Sequence, residues 1–93
     1  MINFIILTFS LISIIIAQPI IDFIDPAFGR VGGTVTINGN NFSSNSMENT
    51  VFLGGLETNI LNSTENEIIV SVPYGSYYTP ISVYTNGLYA TSS

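Results

Sequence analysis

Short runs of alternating apolar and polar residues fill the chain from residue 19 onward. Between Thr34 and Asn38, Val35 and Ile37 fall on one face and the polar residues on the other, which is the period of a half-buried strand. Similar runs, separated by turn residues about every eight to twelve positions, predict an all-β sandwich of about seven short antiparallel strands. The predicted strands cover residues 19–25, 34–38, 50–53, 57–61, 67–72, 80–85 and 88–93.

Glycine and asparagine mark the predicted turns. Asn86-Gly87 is the strongest hairpin signal in the chain, because a type I′ turn needs positive φ at both of its central residues. Gly54-Gly55 predicts a tight hairpin between the third and fourth strands, and residues 62–66 read as a polar turn.

The first seventeen residues follow a different pattern. An apolar run from residue 4 to 17, interrupted only by three hydroxyl residues, ends with Ile15 and Ala17 at the −3 and −1 positions of a cleavage site. This layout predicts a secretory signal peptide cut after Ala17. The segment before the run has no Lys or Arg, so an uncleaved signal anchor is the alternative.

Length favours cleavage over an anchor. The apolar run is shorter than the roughly 20 residues of a spanning helix, and Pro19 interrupts any helical continuation. We therefore expect two segments: a signal peptide at 1–17 and one domain at 18–93, secreted or held at the extracellular face of the plasma membrane.

The run from Asp25 to Phe42 carries a family resemblance. It contains Pro, a Gly-Gly-Thr triplet at 32–34, an alternating strand and a closing Asn-Gly-Asn-Asn-Phe. This run resembles the signature of the IPT/TIG family, whose members are immunoglobulin-like (E-set) β-sandwiches. Three later segments also resemble the family's strands and turns, at residues 51–55, 69–73 and 81–87.

The resemblance implies a non-catalytic module of extracellular receptors such as plexins, often in tandem, used in adhesion and cell–cell recognition. The same fold occurs in DNA-binding transcription factors. Many family members carry a cysteine pair in the strands near Thr58 and Ser71, and this chain lacks it. Many members also continue past the final strand with an aromatic-rich extension that is not seen here, so a single structural repeat or fragment of a tandem-repeat receptor is an alternative expectation. A weak carbohydrate-binding accessory module is another.

Charge and residue types narrow the function further. The net charge is −5, with Arg30 as the only base, which argues against nucleic acid and against an anionic membrane surface. The chain has no His, Cys or Lys, so nucleophile triads and imidazole or thiolate metal sites cannot be built. Carboxylates are the remaining candidates for catalytic groups. Neither the pair Asp22 and Asp25 nor the pair Glu65 and Glu67 suggests a cleft. We therefore expect that the chain is not an enzyme and needs no cofactor.

Two kinds of candidate site remain. The sequons at Asn41 and Asn62 predict glycosylation, more strongly at Asn62 because Phe42 is expected to pack inward. Tyrosine is concentrated between residues 74 and 89, where half-buried strand positions are one interpretation and a recognition surface the other. The candidates for contact with a protein partner are Tyr74, Tyr77 and Tyr78, and self-association through an exposed strand edge is a further possibility.

Overall fold

The computed structural model describes residues 17–26, 30–76 and 80–92. Eight strands and one turn of 3₁₀ helix, Ser46–Glu48, make up the regular structure of these residues, and none of their helices is long and apolar enough to cross a membrane. The strands are β1 Ile20–Asp25, β2 Thr34–Asn40, β3 Asn49–Leu53, β4 Leu56–Glu57, β5 Ile60–Ser63, β6 Glu67–Ser71, β7 Ile81–Thr85 and β8 Leu88–Thr91.

The strands form two four-stranded sheets. One has the order β1-β2-β6-β5 and is called here the β1 sheet; the other has the order β4-β3-β7-β8 and is called the β8 sheet. Every neighbouring pair of strands is antiparallel. This arrangement confirms the predicted all-β, immunoglobulin-like sandwich.

The core is formed by the apolar positions of the alternating strands. In β2, β3, β6 and β7 every second side chain points inward, so the two sheets meet through β-branched and leucine side chains. No sulfur bridge is available to hold them together, because the sequence has no cysteine. The buried apolar residues are Val35, Ile37, Phe42, Val51, Leu53, Ile68, Val70, Val72, Ile81 and Val83.

The prediction of one strand at 57–61 is wrong, because the chain changes sheets within it. Glu57 still pairs with β3, and the buried Thr58 donates its backbone N–H to Val51 O at 2.8 Å. Asn59 O then accepts from Ser71 N at 3.0 Å, which attaches the next residues to β6. The chain thus crosses between the sheets at residues 58–59, and β5 occupies part of the predicted turn at 62–66.

A buried amide organises the polar loop between β2 and β3. Asn49 Oδ1 accepts hydrogen bonds from Ser43 N at 3.1 Å and from Thr85 Oγ1 at 2.8 Å, and its Nδ2 donates to Ser43 O at 2.7 Å. Ser63 Oγ donates to the same Ser43 carbonyl at 2.8 Å. These bonds compensate the burial of Asn49. Asn49 thus ties the loop to the β8 sheet, and Ser63 of β5 ties the same loop to the β1 sheet.

Gly39 allows β1 to approach β2 closely. It lies opposite Ile21 in the sheet, and a Cβ at this position would lie 1.9 Å from Ile20 O and 2.8 Å from the ring of Phe42. Both neighbours are fixed, one as backbone and the other as a buried side chain. The position therefore requires glycine because of space rather than because of its φ angle.

We expect Gly39→Ala to lower the free energy of unfolding by about 1–3 kcal/mol, because the methyl group must displace Ile20 or Phe42. The matched control is Thr34→Ala at the exposed other end of the same strand. Thermal denaturation followed by circular dichroism measures both variants, and an equal melting temperature for the two would contradict the close approach.

Candidate functional site

Three aromatic side chains lie together on the outer face of the β8 sheet. Phe52, Tyr84 and Tyr89 occupy outward positions of β3, β7 and β8. The rings of Tyr84 and Tyr89 stack with centroids 5.4 Å apart. The rings of Phe52 and Tyr84 are nearly perpendicular, at 79°, with centroids 5.8 Å apart. We call this cluster the aromatic face.

The local sequence explains how the aromatic face forms. Ile81 and Val83 point into the core, so Tyr84 in the same strand points outward. Asn86 and Gly87 adopt φ angles of 50° and 84°, which gives the two-residue hairpin predicted from the sequence. That turn places Tyr89 directly opposite Tyr84, where cross-strand aromatic pairs interact.

Hydroxyl groups surround the aromatic rings. Thr50 is paired with Tyr84, and Ser82 lies between Phe52 and Thr91 in adjacent strands. Ser82 Oγ and Thr91 Oγ1 are 3.4 Å apart. Within strands β3, β4, β7 and β8, the acidic residue is Glu57, opposite Phe52.

This composition suits binding rather than catalysis. Tyr84 and Tyr89 keep 41% and 53% of their surface exposed, so they combine apolar ring area with free hydroxyl groups. Tyrosine has few rotatable bonds and loses little conformational entropy when it is covered. A single carboxylate beside the rings provides no acid–base pair.

Of the tyrosines predicted to contact a partner, the structure describes Tyr74, which is not part of the aromatic face. Tyr74 is 89% exposed in the turn after β6, whereas Tyr77 and Tyr78 lie outside the described residues. The sequence alone does not single out Tyr84 and Tyr89. Two sequence features together could have identified the pair: the alternation of β7, which turns Tyr84 outward, and the Asn-Gly hairpin, which places Tyr89 opposite it.

The two predicted glycosylation sites differ in their surroundings. Asn41 follows β2 with a φ angle of 66°, and its Nδ2 donates to Gln18 O at 2.9 Å. Asn62 lies in strand β5 rather than in the predicted turn, and it is exposed. It forms no side-chain hydrogen bond to another described residue.

The carboxylates do not gather into a site. Glu65 lies in the turn before β6 and Glu67 begins that strand, so the two carboxylates do not lie side by side on one strand. Asp22 accepts a hydrogen bond from Asn40 Nδ2 at 3.4 Å. Among the residues that the structure describes, no three acidic side chains lie close enough to hold a metal ion.

An asparagine-rich hollow of about 590 Å³ opens at the end of the sandwich where β2 ends. Asn66 Nδ2 donates to Asn40 Oδ1 at 3.0 Å across this region. Ala17 and the buried Phe42 contribute its apolar part, and Ala17 is the residue that precedes the predicted cleavage point. The remaining lining is polar and comes from Asn40, Asn41, Ser43, Ser44, Glu65, Asn66, Thr85 and Asn86.

The chain is similar in part to a curated enzyme. A segment of 57 residues is 40% identical to cyclomaltodextrin glucanotransferase from Geobacillus stearothermophilus. The match covers 61% of this chain but 8% of that enzyme, so it concerns a small part of a much longer protein.

Solved structures share the fold at low sequence identity. An auxiliary nutrient-binding protein from Bacteroides ovatus superposes with a TM-score of 0.74 at 18% identity, over 81% of this chain and 19% of that one. A putative phosphatase from Bacteroides thetaiotaomicron gives a TM-score of 0.77 at 22% identity, over 83% of this chain and 17% of that one. The chain therefore corresponds to about a fifth of each of these proteins.

The family profile covers the whole sandwich. The sequence model of the IPT/TIG domain family matches residues 19–93, a range that includes every strand from β1 to β8. This agrees with the resemblance drawn from the run at 25–42, and together with the fold it supports a non-catalytic binding module in general terms. The chain belongs to the IPT/TIG domain family.

Proposed function

We propose that this chain is a secreted or cell-surface recognition module that binds a protein partner in adhesion or cell–cell signalling. The observation that carries the proposal is the aromatic face, where the rings of Tyr84 and Tyr89 stack on each other and remain exposed to solvent. Exposed aromatic clusters with a polar surround have the composition of protein-binding hot spots.

The position of the aromatic face also favours recognition. It lies on β-strands whose opposite sides are anchored in the core by Val51 and Val83, so its geometry is fixed before a partner arrives. A preorganised surface loses less conformational entropy on binding than a flexible loop does. The exposed Tyr74 in the turn after β6 is a second contact candidate, with Tyr77 and Tyr78 close to it in sequence.

The extracellular location rests on the sequence of residues 1–17. An apolar run that ends in a small residue, Ala17, at the −1 position of the cut has the layout that directs secretion. The acidic net charge of −5 and the absence of a basic patch are compatible with a protein partner and unfavourable for a polyanion.

We expect the labelled protein to bind cells of its own source organism, and Tyr84→Ser with Tyr89→Ser to weaken that binding at least about tenfold. Two hot-spot tyrosines commonly contribute that much. Flow cytometry of cells with and without prior protease treatment measures the effect, and protease treatment should abolish binding.

Two further variants serve as controls for this experiment. Leu61→Ser changes an exposed apolar residue of the other sheet and should leave binding unchanged. Tyr74→Ser with Tyr77→Ser and Tyr78→Ser tests the alternative contact loop. Unchanged binding by the Tyr84 and Tyr89 variant would contradict the assignment of the aromatic face.

Carbohydrate binding is a second candidate, favoured by the 40% identity to cyclomaltodextrin glucanotransferase over 57 residues. Tyrosine rings also stack on the apolar faces of sugars, and the hydroxyl groups of Thr50, Ser82 and Thr91 could bond sugar hydroxyls. Binding to cells that survives protease but not glycosidase treatment would favour this candidate over a protein partner, as would retention on immobilised maltodextrin.

Cleavage after Ala17 predicts that the protein recovered from the culture medium begins at Gln18. Mass spectrometry of its N-terminal peptide measures this directly. Ala17→Arg should block the cut, because a large charged residue does not fit the small-residue position. Retention of residues before Gln18 in the wild-type protein would support the anchor alternative.

In a host that N-glycosylates secreted proteins, we expect a glycan at Asn62 and not at Asn41. Asn62 is exposed and its amide is available, whereas a sugar on Asn41 Nδ2 would occupy the position of Gln18. Asn62→Gln should therefore reduce the intact mass by one glycan, and Asn41→Gln should not. A glycan on Asn41 in the folded, secreted protein would show that the contact with Gln18 is dispensable.

A further inference from the structure

The outer edge of β8 presents unpaired backbone groups. Thr85 and Leu88 flank the hairpin turn, and Ser92 N donates to Ile81 O at 2.8 Å. In an antiparallel pair, residues that exchange hydrogen bonds alternate with residues whose N–H and C=O point away. Tyr89 and Thr91 therefore direct their backbone groups away from β7, toward an edge that no strand among the described residues covers.

One of these edge groups is already occupied by a side chain. Gln18 Nε2 donates to Tyr89 O at 2.9 Å. The main chain of Gln18 is fixed at the same time, because Asn41 Nδ2 donates to Gln18 O at 2.9 Å. An open edge pairs with other chains, and natural sheets protect it by covering it or by placing residues there that oppose pairing. The side chain of Gln18 covers one acceptor of this edge.

We propose that Gln18 is a modification site that controls pairing of the β8 edge with the β8 edge of a second copy. With the side chain of Gln18 intact, Tyr89 O is capped and the edge is closed. When Gln18 cyclises to pyroglutamate, the capping atom is lost and the edge opens. The cyclisation step rests on the proposed cleavage after Ala17, which makes Gln18 the first residue.

The register of a self-pair follows from the backbone geometry. An antiparallel pair centred on Ala90 places Tyr89 opposite Thr91 of the second copy, and these are the residues whose backbone groups point outward. Each such pair exchanges two hydrogen bonds, and one of the acceptors is Tyr89 O. A pair centred on Tyr89 would need the backbone of Gly87, which lies in the turn. The capped atom is thus an atom that the self-pair requires.

The surroundings of β8 favour a second copy as the occupant. A groove of about 390 Å³ lies between β1 and β8 and has a mixed lining. Its apolar part comes from Ile21, Phe23, Ile24 and Ile81, and its polar part from Asp22, Thr91 and Ser92. In the register centred on Ala90, Leu88 of the second copy lies opposite Ser92, beside this groove. The isoleucines of the groove offer apolar contact to that side chain.

The distribution of charge also favours contact between two copies of the chain at this edge. The chain has a net charge of −5, so most of its surface repels a copy of itself. Strands β7 and β8 contain no charged residue, and an edge-to-edge contact brings these two uncharged strands together. Asp22 is the acid that lies at the groove.

The cyclisation needs no further reactant. The α-amino nitrogen of Gln18 attacks its own side-chain amide carbon, forming a lactam C–N bond. The bond from that carbon to Nε2 breaks, and Nε2 leaves as ammonia with a proton taken from the α-amino group. The atom that leaves is the donor to Tyr89 O, and the remaining lactam N–H is held in the ring beside the main chain, so the modified chain loses this cap.

The experiment follows the purified, secreted protein over time by intact mass and by light scattering, at concentrations up to about 1 mM where weak complexes are populated. The freshly secreted chain should be monomeric. Loss of the mass of one ammonia should be accompanied by a rise in average particle mass toward that of a dimer. Complete cyclisation without association would overturn the proposal.

Two variants of Gln18 separate the cap from the chemistry. Gln18→Ala has neither a donor nor a cyclising amide, and it should associate from the outset. Gln18→Lys cannot form a lactam, but its ammonium group can donate to Tyr89 O, so it should stay monomeric. Equal association by the two variants would show that the side chain does not guard the edge.

A third variant tests whether β8 is the edge that pairs. Thr91→Pro removes an N–H that points outward and leaves the hydrogen bonds to β7 in place. Combined with Gln18→Ala, it should weaken association at least about tenfold. Unchanged association of this double variant would exclude the β8 edge.

The intact mass of the secreted protein and the Gln18 variants allow this proposal and the proposed function to fail independently. A secreted chain that retains residues before Gln18 contradicts cleavage, yet Gln18→Ala and Gln18→Lys still test the cap, because capping needs no free α-amino group. Binding to cells uses the aromatic face and is measured on monomeric Gln18→Lys. Loss of cell binding by monomeric Gln18→Lys would contradict the proposed recognition surface, but it would not contradict the proposed pairing of β8 edges.

Discussion

The contact between two layers of β-branched side chains is the interaction on which the rest of this structure depends. Ile37 and Ile68 from the β1 sheet and Val51 and Val83 from the β8 sheet are fully buried, and no disulfide assists them. Each of these side chains points inward only because its strand alternates strictly. The same alternation forces the neighbouring side chains outward, so the core and the aromatic face are two consequences of one pattern.

Most of the fold follows from local sequence. Asn86-Gly87 has few alternatives to a two-residue hairpin, and alternation in β2, β6 and β7 identifies the buried residues correctly. The division of the predicted strand at 57–61 has no local signal. It arises because Thr58 bonds to Val51 in one sheet while Asn59 bonds to Ser71 in the other, and such long-range partners cannot be read from a single segment.

The candidate site is less accessible to sequence analysis than the fold is. The concentration of tyrosine is informative, but it favours the loop at 74–78 over the strands because loops commonly carry function. Tyr84 and Tyr89 become a cluster only when the hairpin register is known. The role of Gln18 cannot be predicted from the sequence at all, because its partner Tyr89 is separated from it by most of the chain.

The buried amide of Asn49 has a consequence for variation among related proteins. Asn49 holds Ser43 and Thr85 in place, while Ser44, Asn45 and the other residues between positions 43 and 49 are largely exposed. Substitutions within that loop leave both anchors intact, and so does a modest change of its length. Selection is thus free to alter one end of the sandwich without disturbing its interior, and paralogues can diverge there in specificity at little risk to folding.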